Sequence, residues 1–155
     1  MNMLKLTLPL LLIGSNAMAE SPTEREKAMA ATAAFGKALK TELVGAMQSG
    51  GPLTAIEVCH IEAPAIAKSV SIEHGMNVAR VASRNRNPGN APTEWQAQVL
   101  AEFEERIGDG EDAAGLTWQG TAEVDGGKEY RFMKAIPTDG VCLACHGSSL
   151  DPAVA

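Results

Sequence analysis

The chain has 155 residues, a formal net charge of −6 and an aromatic content of only 4%. Its length suits a single domain with one core. Its acidity excludes nucleic acid and anionic membrane surfaces as main partners, because both require basic patches. With so few aromatic side chains, the core must consist mainly of Ala, Val, Leu and Ile, or be completed by a group that is not protein.

The first 19 residues have the pattern of a secretory signal peptide. Lys5 precedes an apolar run over residues 6–13, and an Ala-x-Ala cleavage site follows at residues 17–19. The apolar run is too short to span a bilayer as a helix. We therefore expect export to the periplasm, no membrane span after cleavage, and one domain over residues 20–155.

Two helical segments are predicted next. Ser21 has the features of an N-cap, with Pro22 at the first helical position and Glu24 completing a capping box. Apolar residues then recur every three or four positions over residues 28–47, and the glycines at 50–51 predict the end of this helix. A second helical stretch begins at Pro52.

Pro64 lies inside the second stretch and predicts a break near residues 62–63, because proline cannot continue the hydrogen-bonding pattern of a helix. Gly75 predicts the end of the stretch. Residues 76–83 alternate β-branched side chains and predict a strand. Residues 83–92, with their asparagines, prolines and glycine, predict a loop.

The last elements are a third helix and a hairpin. Thr93 is the expected N-cap of the helix, whose apolar stripe repeats every four residues. The stripe consists of Trp95, Val99, Phe103 and Ile107. Residues 116–124 and 128–136 read as two strands joined by a turn at 125–127. The sequence thus predicts an α+β domain, with helices first, a small antiparallel sheet, and a reactive C-terminal motif.

That motif is C-L-A-C-H at residues 142–146. Two thiols at this spacing can each form a thioether with a vinyl group of one haem, and the next histidine then lies below the iron as its proximal ligand. Maturation of c-type cytochromes takes place outside the cytoplasmic membrane, which agrees with the predicted signal peptide. We therefore expect one covalent haem c per chain, held by Cys142, Cys145 and His146.

Three other uses of these residues compete. A zinc ion could bind Cys142, Cys145, His146 and Cys59. A thioredoxin-like C-x-x-C should open a helix after a strand, which the following G-S-S-L-D-P disfavours. A disulfide between Cys142 and Cys145 would close a very short loop and stabilise little.

A second iron ligand must come from earlier in the chain. Cys59, His60 and His74 are candidates, although His74 also suits the end of a helix. The methionines that could serve equally fit as core fillers; they are Met29, Met47, Met76 and Met133. Cys59 and His60 lie about 100° apart on a helix, and helical phase does not decide between them. The odd number of cysteines favours Cys59, because an unpaired thiol in an exported protein needs a role.

The haem propionates would also need partners. Arg80, Arg84 and Arg86 are the candidates, since guanidinium groups pair with carboxylates through two hydrogen bonds. The asparagines at 85, 87 and 90 could assist, or the whole segment could be a solvated loop. Three aromatic side chains could pack on the porphyrin or fill the core of the sheet; they are Trp118, Tyr130 and Phe132.

Three stretches resemble a known bacterial family. They are A-I-E-V-C-x-x-x-A-P-x-I-A (55–67), R-x-x-S-R-N-R-N-P-G-N-A-P-x-x-W (80–95) and the terminal C-x-x-C-H-G. In this order they are similar to the Tll-like haem c domains, single-haem PAS-like domains found alone in the periplasm or in front of sensor kinases. The resemblance covers residues 25–147 and implies a PAS-like fold with haem in the sensor pocket. It also implies axial ligation by His146 and Cys59.

These expectations describe a periplasmic monohaem protein that senses redox state or a diatomic ligand, or that passes one electron. Its partner would be an unidentified electron donor, acceptor or signalling protein, and a homodimer is left open. The alternatives are a soluble electron carrier without a sensing role and a zinc-binding structural protein. A turnover enzyme is disfavoured, because no acid–base pair is placed beside the haem. We further hypothesise that Cys59 accepts a proton and leaves the iron on reduction.

Overall fold

The computed structural model describes residues 22–138, 140–150 and 152–154, so the predicted signal peptide lies outside the described residues. Long helices precede an antiparallel hairpin, and a short helix follows it, which confirms the α+β class. The elements are α1 (Glu24–Glu57), a π turn (Val58–Glu62), α2 (Ala63–His74), α3 (Glu94–Gly108), β1 (Thr117–Val124), β2 (Gly127–Lys134) and α4 (Leu143–His146), with short 3₁₀ helices at Pro88–Asn90 and Ala113–Gly115. None of the helices within the described ranges combines the length and the apolar character needed to cross a membrane.

Helix α1 begins two residues later than the capping pattern predicts. Thr23 is the N-cap: its Oγ1 accepts a hydrogen bond from the backbone N–H of Glu26 at 3.2 Å, and the Glu26 carboxylate accepts one from the Thr23 N–H at 2.7 Å. The chain contains two overlapping capping patterns, and the structure uses the second, in which both reciprocal hydrogen bonds form. The predicted N-cap, Ser21, lies outside the described residues.

The predicted end of the first helix near residues 49–51 is confirmed as a sharp kink. Gly51 has a φ of 69° and a ψ of −161°, a conformation that only glycine adopts readily. Pro52 follows immediately and restarts the helix, and its fixed φ suits a first helical turn. Helix α1 therefore consists of two helical segments that meet at Gly51.

The break predicted at Pro64 takes the form of a π turn. The backbone N–H of Ala63 donates to the carbonyl of Val58, five residues earlier, and Pro64 lies in the first turn of α2. In a regular α-helix the proline ring would collide with the carbonyl four residues before it. The wider turn avoids this collision, and the backbone stays in the right-handed helical region at Glu57, Glu62 and Ala63. Gly75, with a φ of 64°, ends α2 as predicted.

The strand predicted over residues 76–83 is wrong. The segment is irregular, and no partner strand pairs with it among the described residues. Its backbone N–H groups are satisfied in other ways: Val78 donates to the Ser71 hydroxyl at 2.9 Å, and Ala82 donates to the Asn90 carbonyl at 3.1 Å. The alternating pattern instead packs Val78 against the side chain of Phe35 and its neighbours.

Among the residues that the structure describes, the core contains two separate apolar clusters. One forms between α1 and α2 around Ala31, Phe35 and Val70. The other forms between α3 and the hairpin; it comprises Val99, Phe103 and Leu116, with Trp95, Trp118, Met133 and Ala135 packed around them. The predicted stripe of α3 holds at its centre but fails at Ile107, which lies in the last helical turn, is 44% exposed and is not part of this cluster.

The predicted hairpin forms, although its turn is one residue shorter than predicted and its second strand covers Gly127–Lys134 rather than 128–136. Trp118 pairs with Met133 and Val124 pairs with Gly127, so that Asp125 and Gly126 form a two-residue turn. The Trp118 ring stacks on Trp95 of α3 with the centroids 5.5 Å apart, which fixes the hairpin against this helix. The hairpin also directs the chain beyond Lys134 towards α4.

Candidate cofactor site

Helix α4 places the two motif cysteines and the histidine on a single turn. The Cys142 carbonyl accepts hydrogen bonds from the N–H groups of Cys145 at 3.1 Å and His146 at 2.8 Å. Residues three and four positions apart on a helix share one face. Cys142, Cys145 and His146 therefore project from the same side of the turn, as the motif predicts. Both cysteines are half-buried, and neither forms a disulfide, nor does Cys59.

Gly147 closes this turn. Its N–H donates to the Leu143 carbonyl at 3.0 Å, and a Cβ atom built on Gly147 would lie 2.5 Å from that same oxygen. The φ of −80° is accessible to any residue. The constraint is therefore steric: a side chain at this position would collide with the backbone of the motif turn itself.

The loop between α2 and α3 contacts the motif turn through Arg86. Its Nη2 donates a hydrogen bond to the Cys145 carbonyl at 2.9 Å, which joins residues 59 positions apart. The loop is braced internally by Asn87, whose side-chain oxygen accepts from Gly89 N–H and whose carbonyl accepts from the Asn85 amide and Asn90 N–H. The side chains of Asn85 and Asn87 therefore stabilise the geometry of the loop.

His146 lies in a weakly positive environment. Partial burial lowers the pKa of this imidazole, and the charges of Arg86 and Arg80 lower it further. The neutral form, which can donate a lone pair to a metal, is thereby favoured. The side chain remains exposed at the surface of the turn.

A cavity of about 720 Å³ opens between α2 and the loop that follows it. This volume falls within the roughly 300–1,000 Å³ typical of cofactor and small-molecule sites. The wall is mainly apolar; its apolar side chains are Phe35, Ala63, Pro64, Ala67, Ile72, Met76, Val78 and Ala79. Ile72 is 74% exposed despite being part of this wall. The cavity thus offers an apolar surface of the size that a cofactor would cover.

The charged side chains that line the cavity are both cations. Arg80, one of the predicted propionate partners, is one of them, and Lys68 of α2 is the other. Acidic side chains are absent from the described lining. Sequence reasoning missed Lys68, although it lies four residues after Pro64 and four before Ile72, on the same face of α2. Arg84 is exposed and does not line the cavity.

Among the candidates for a second ligand, the structure places Cys59 and Met76 in the cavity wall. Met76 packs against the Phe35 cluster. Cys59 is half-buried on the π turn, whereas His60 is exposed and lies outside the wall. The remaining candidates do not line the cavity; they are His74, Met29, Met47 and Met133.

The aromatic side chains of the hairpin lie elsewhere. Trp118 belongs to the α3 cluster, and the Tyr130 hydroxyl donates to Gln119 at 2.9 Å. Neither they nor Phe132 line the cavity. Trp118 therefore packs the sheet against α3, whereas Tyr130 and Phe132 are not part of that cluster, and their contact with a porphyrin stays a prediction.

Nowhere in the described part of the chain do three or more His, Cys, Asp or Glu side chains gather closely enough to bind a metal ion. A zinc site formed by Cys59 with the motif residues has no such cluster to support it. Haem needs less from the protein, because the porphyrin supplies four of the iron ligands and the chain only one or two. Cys59 lines the cavity, whereas Cys142, Cys145 and His146 lie outside its described lining and are joined to it through the Arg86 contact of the loop.

Comparison with known proteins identifies one family. The model of the Tll0287-like family matches residues 13–153, and the match includes Cys59, the arginine loop and the C-terminal motif. No curated protein and no solved structure matches the chain. Since the match covers nearly the whole sequence, the chain belongs to the Tll0287-like family.

Proposed function

We propose that this protein is a periplasmic c-type haem protein that carries one covalent haem. Cys142 and Cys145 would hold the haem through thioether bonds, and His146 and Cys59 would be the two protein ligands of its iron. One observation carries the proposal: the loop that lines the same cavity as Cys59 also donates a hydrogen bond, from Arg86, to the Cys145 carbonyl of the motif turn. The π turn that carries Cys59 and the motif turn are distant in sequence, and this loop connects them in the fold.

The composition of the cavity wall supports the same cofactor. A porphyrin presents an apolar macrocycle and two carboxylates, and the wall offers apolar side chains together with Lys68 and Arg80. Cations near the two propionates would offset the cost of moving those charges out of water. We keep the PAS-like arrangement as part of this proposal, with the β1–β2 hairpin as the part of its sheet that the described residues form.

Bound haem would supply one-electron chemistry and a coordination position for a small ligand. A Cys59 thiolate would favour the ferric state, because an anionic ligand stabilises the higher charge of the iron. We therefore propose a role in sensing redox state or a diatomic molecule, or in passing one electron to a partner protein. A soluble electron carrier without a sensing role is the second candidate. Fast electron exchange with another cytochrome would favour it, and a very negative potential with slow binding of carbon monoxide would favour sensing.

The visible spectrum of the protein, produced in cells with a working c-type maturation system, tests the proposal. Wild type should show a haem band that survives denaturation, because the haem is covalently attached. Cys59→Ala should lose the ferric low-spin thiolate signature, whereas the neighbouring variant His60→Ala should keep it. Stoichiometric zinc with no haem band would overturn the proposal.

The location is tested separately. N-terminal sequencing of the mature protein should begin at Glu20, and the protein should appear in the periplasmic fraction. A mature chain that starts at residue 1 would contradict the proposed export.

A further inference from the structure

Polar contacts hold the motif turn in place. None of the residues of α4 is buried, and Leu143 is 50% exposed, so apolar packing contributes little to its position. The hydrogen bond from Arg86 joins this turn to the body of the domain. A guanidinium donor makes such a bond stronger than one between neutral groups.

Hydrogen bonds within the loop restrict the backbone on both sides of Arg86. Hydrogen bonds from Asn85, Gly89 and Asn90 converge on Asn87, the residue next to Arg86. A further bond, from Ala82 N–H to the Asn90 carbonyl, closes the loop at its base. Because the backbone on both sides of Arg86 is tied down, less conformational freedom is lost when its side chain reaches the Cys145 carbonyl.

The positions of the substituents on the haem ring indicate that Arg86 does not bind the propionates. In protoporphyrin the two vinyl groups lie on one edge of the ring, and the two propionates lie on the opposite edge. A group bound to the Cys145 backbone is therefore at the attachment edge. Arg80 differs, since it lines the cavity wall itself, as does Lys68.

We propose that Arg86 is a positioning residue that docks the attachment turn, and with it His146, against the cavity loop, while Arg80 and Lys68 face the propionates. This assignment rests on the proposed haem function, but the docking contact can be tested without it. It also corrects the expectation that the three loop arginines share one role.

The test compares Arg86→Gln with Arg84→Gln, which removes the same charge from the same loop at a position outside the site. Amide hydrogen exchange is measured on the full chain as purified, for residues 143–147 and, as a reference, for α3. Arg86→Gln should speed exchange in the turn by roughly three- to tenfold, as expected for losing one hydrogen bond at an exposed turn. Exchange in α3, and in Arg84→Gln throughout, should remain as in wild type.

Arg86→Lys separates charge from geometry and serves as the second variant if Arg86→Gln cannot be purified. It should speed exchange in the turn by a smaller factor than Arg86→Gln. Equal exchange in Arg84→Gln and Arg86→Gln, or faster exchange in α3 as well, would overturn the docking role. If Arg86→Lys is the only variant that can be purified, an exchange rate in the turn equal to that of wild type would also overturn the docking role.

In the haem-loaded chain, the ferric spectrum and the reduction potential distinguish the positioning of His146 from a purely structural role of Arg86. Arg86→Gln should weaken the low-spin ferric spectrum and shift the reduction potential, and Arg86→Lys should restore most of both. Faster exchange with an unchanged spectrum and potential would contradict the positioning of His146. Absence of any haem band would refute the proposed function, and the exchange data would still decide the docking contact.

Discussion

Replacing Gly147 by alanine should disrupt the motif turn, although the backbone angles at this position would accept any residue. A Cβ atom at Gly147 would lie 2.5 Å from the Leu143 carbonyl oxygen, well inside the separation that such atoms tolerate. That oxygen belongs to the backbone of α4 and cannot rotate away as a flexible side chain could. The hydrogen bond from Gly147 N–H to the same oxygen, now 3.0 Å, must therefore lengthen or break.

The expected cost follows from this geometry. Losing one backbone hydrogen bond at a partly exposed turn costs about 1 kcal/mol, and residual crowding brings the total to about 1–2 kcal/mol. A change of this size corresponds to a factor of roughly 5–30 in the local equilibrium between the closed and the open turn. Since His146 directly precedes Gly147, an opened turn would carry the imidazole away from its position.

Gly140→Ala is the matched control, because no atom lies within 4 Å of a Cβ built on Gly140. Amide exchange at residues 145–147 should accelerate in Gly147→Ala by the factor given above and stay unchanged in Gly140→Ala. In the haem-loaded protein, Gly147→Ala should also show a larger high-spin fraction. Identical exchange in the two variants would refute the steric argument.

Three further predictions concern the ligand, the core and the surface charge. If Cys59 takes a proton and leaves the iron on reduction, as hypothesised from the sequence, reduced wild-type protein should bind carbon monoxide, and the absence of such binding would refute the release. Cys59→Ala should raise the reduction potential by about 120 mV if the thiolate favours ferric iron about 100-fold. Phe103 is 3% exposed, so Phe103→Ala should lower the free energy of unfolding by about 3–5 kcal/mol in denaturant titrations. Ile107→Ala on the same helix should change it by less than about 0.5 kcal/mol. Similar losses in the two variants would contradict the assignment of the α3 core. The hydrogen bonds from Arg106 lower the pKa of Glu111. The ionised carboxylate therefore stabilises the fold above pH 4.5, its ordinary pKa, and this stabilisation is lost as the pH falls through the lowered pKa of the folded state. Glu111→Gln should unfold at a lower temperature than wild type at pH 7 and at the same temperature in strong acid, and a difference independent of pH would contradict this.

The elements that the sequence predicted correctly are those that local rules determine. Gly51, Gly75 and the Asp125-Gly126 turn need backbone conformations that few residues adopt, so their positions were readable in advance. The segment at 76–83 failed because alternation shows only that a segment is extended. Whether another strand lies beside it depends on distant parts of the chain.

The same limit applies to the candidate site: the part that depends on local spacing could be predicted from the sequence, and the part that depends on the fold could not. The C-x-x-C-H spacing predicts the shared face of Cys142, Cys145 and His146, because it depends on one helical turn. The separate roles of Arg84 and Arg86 were not predictable. Two arginines of one loop look alike in sequence, and only the folded chain brings one of them to the Cys145 carbonyl.

The choice between Cys59 and His60 shows most clearly what the fold adds to the sequence. Helical phase could not decide, because it assumes about 100° per residue throughout, and the chain departs from this value at the π turn. In an α-helix, residues four apart are offset by about 40°, and a wider turn reduces this offset, so that Cys59 lies more nearly in line with Ala63. Cys59 and Ala63 both line the cavity, whereas His60 is exposed and is not part of its lining. The π turn in turn arises from Pro64, whose ring excludes the regular helical carbonyl position. A proline five residues further along the chain thus helps to select the thiol that faces the cavity.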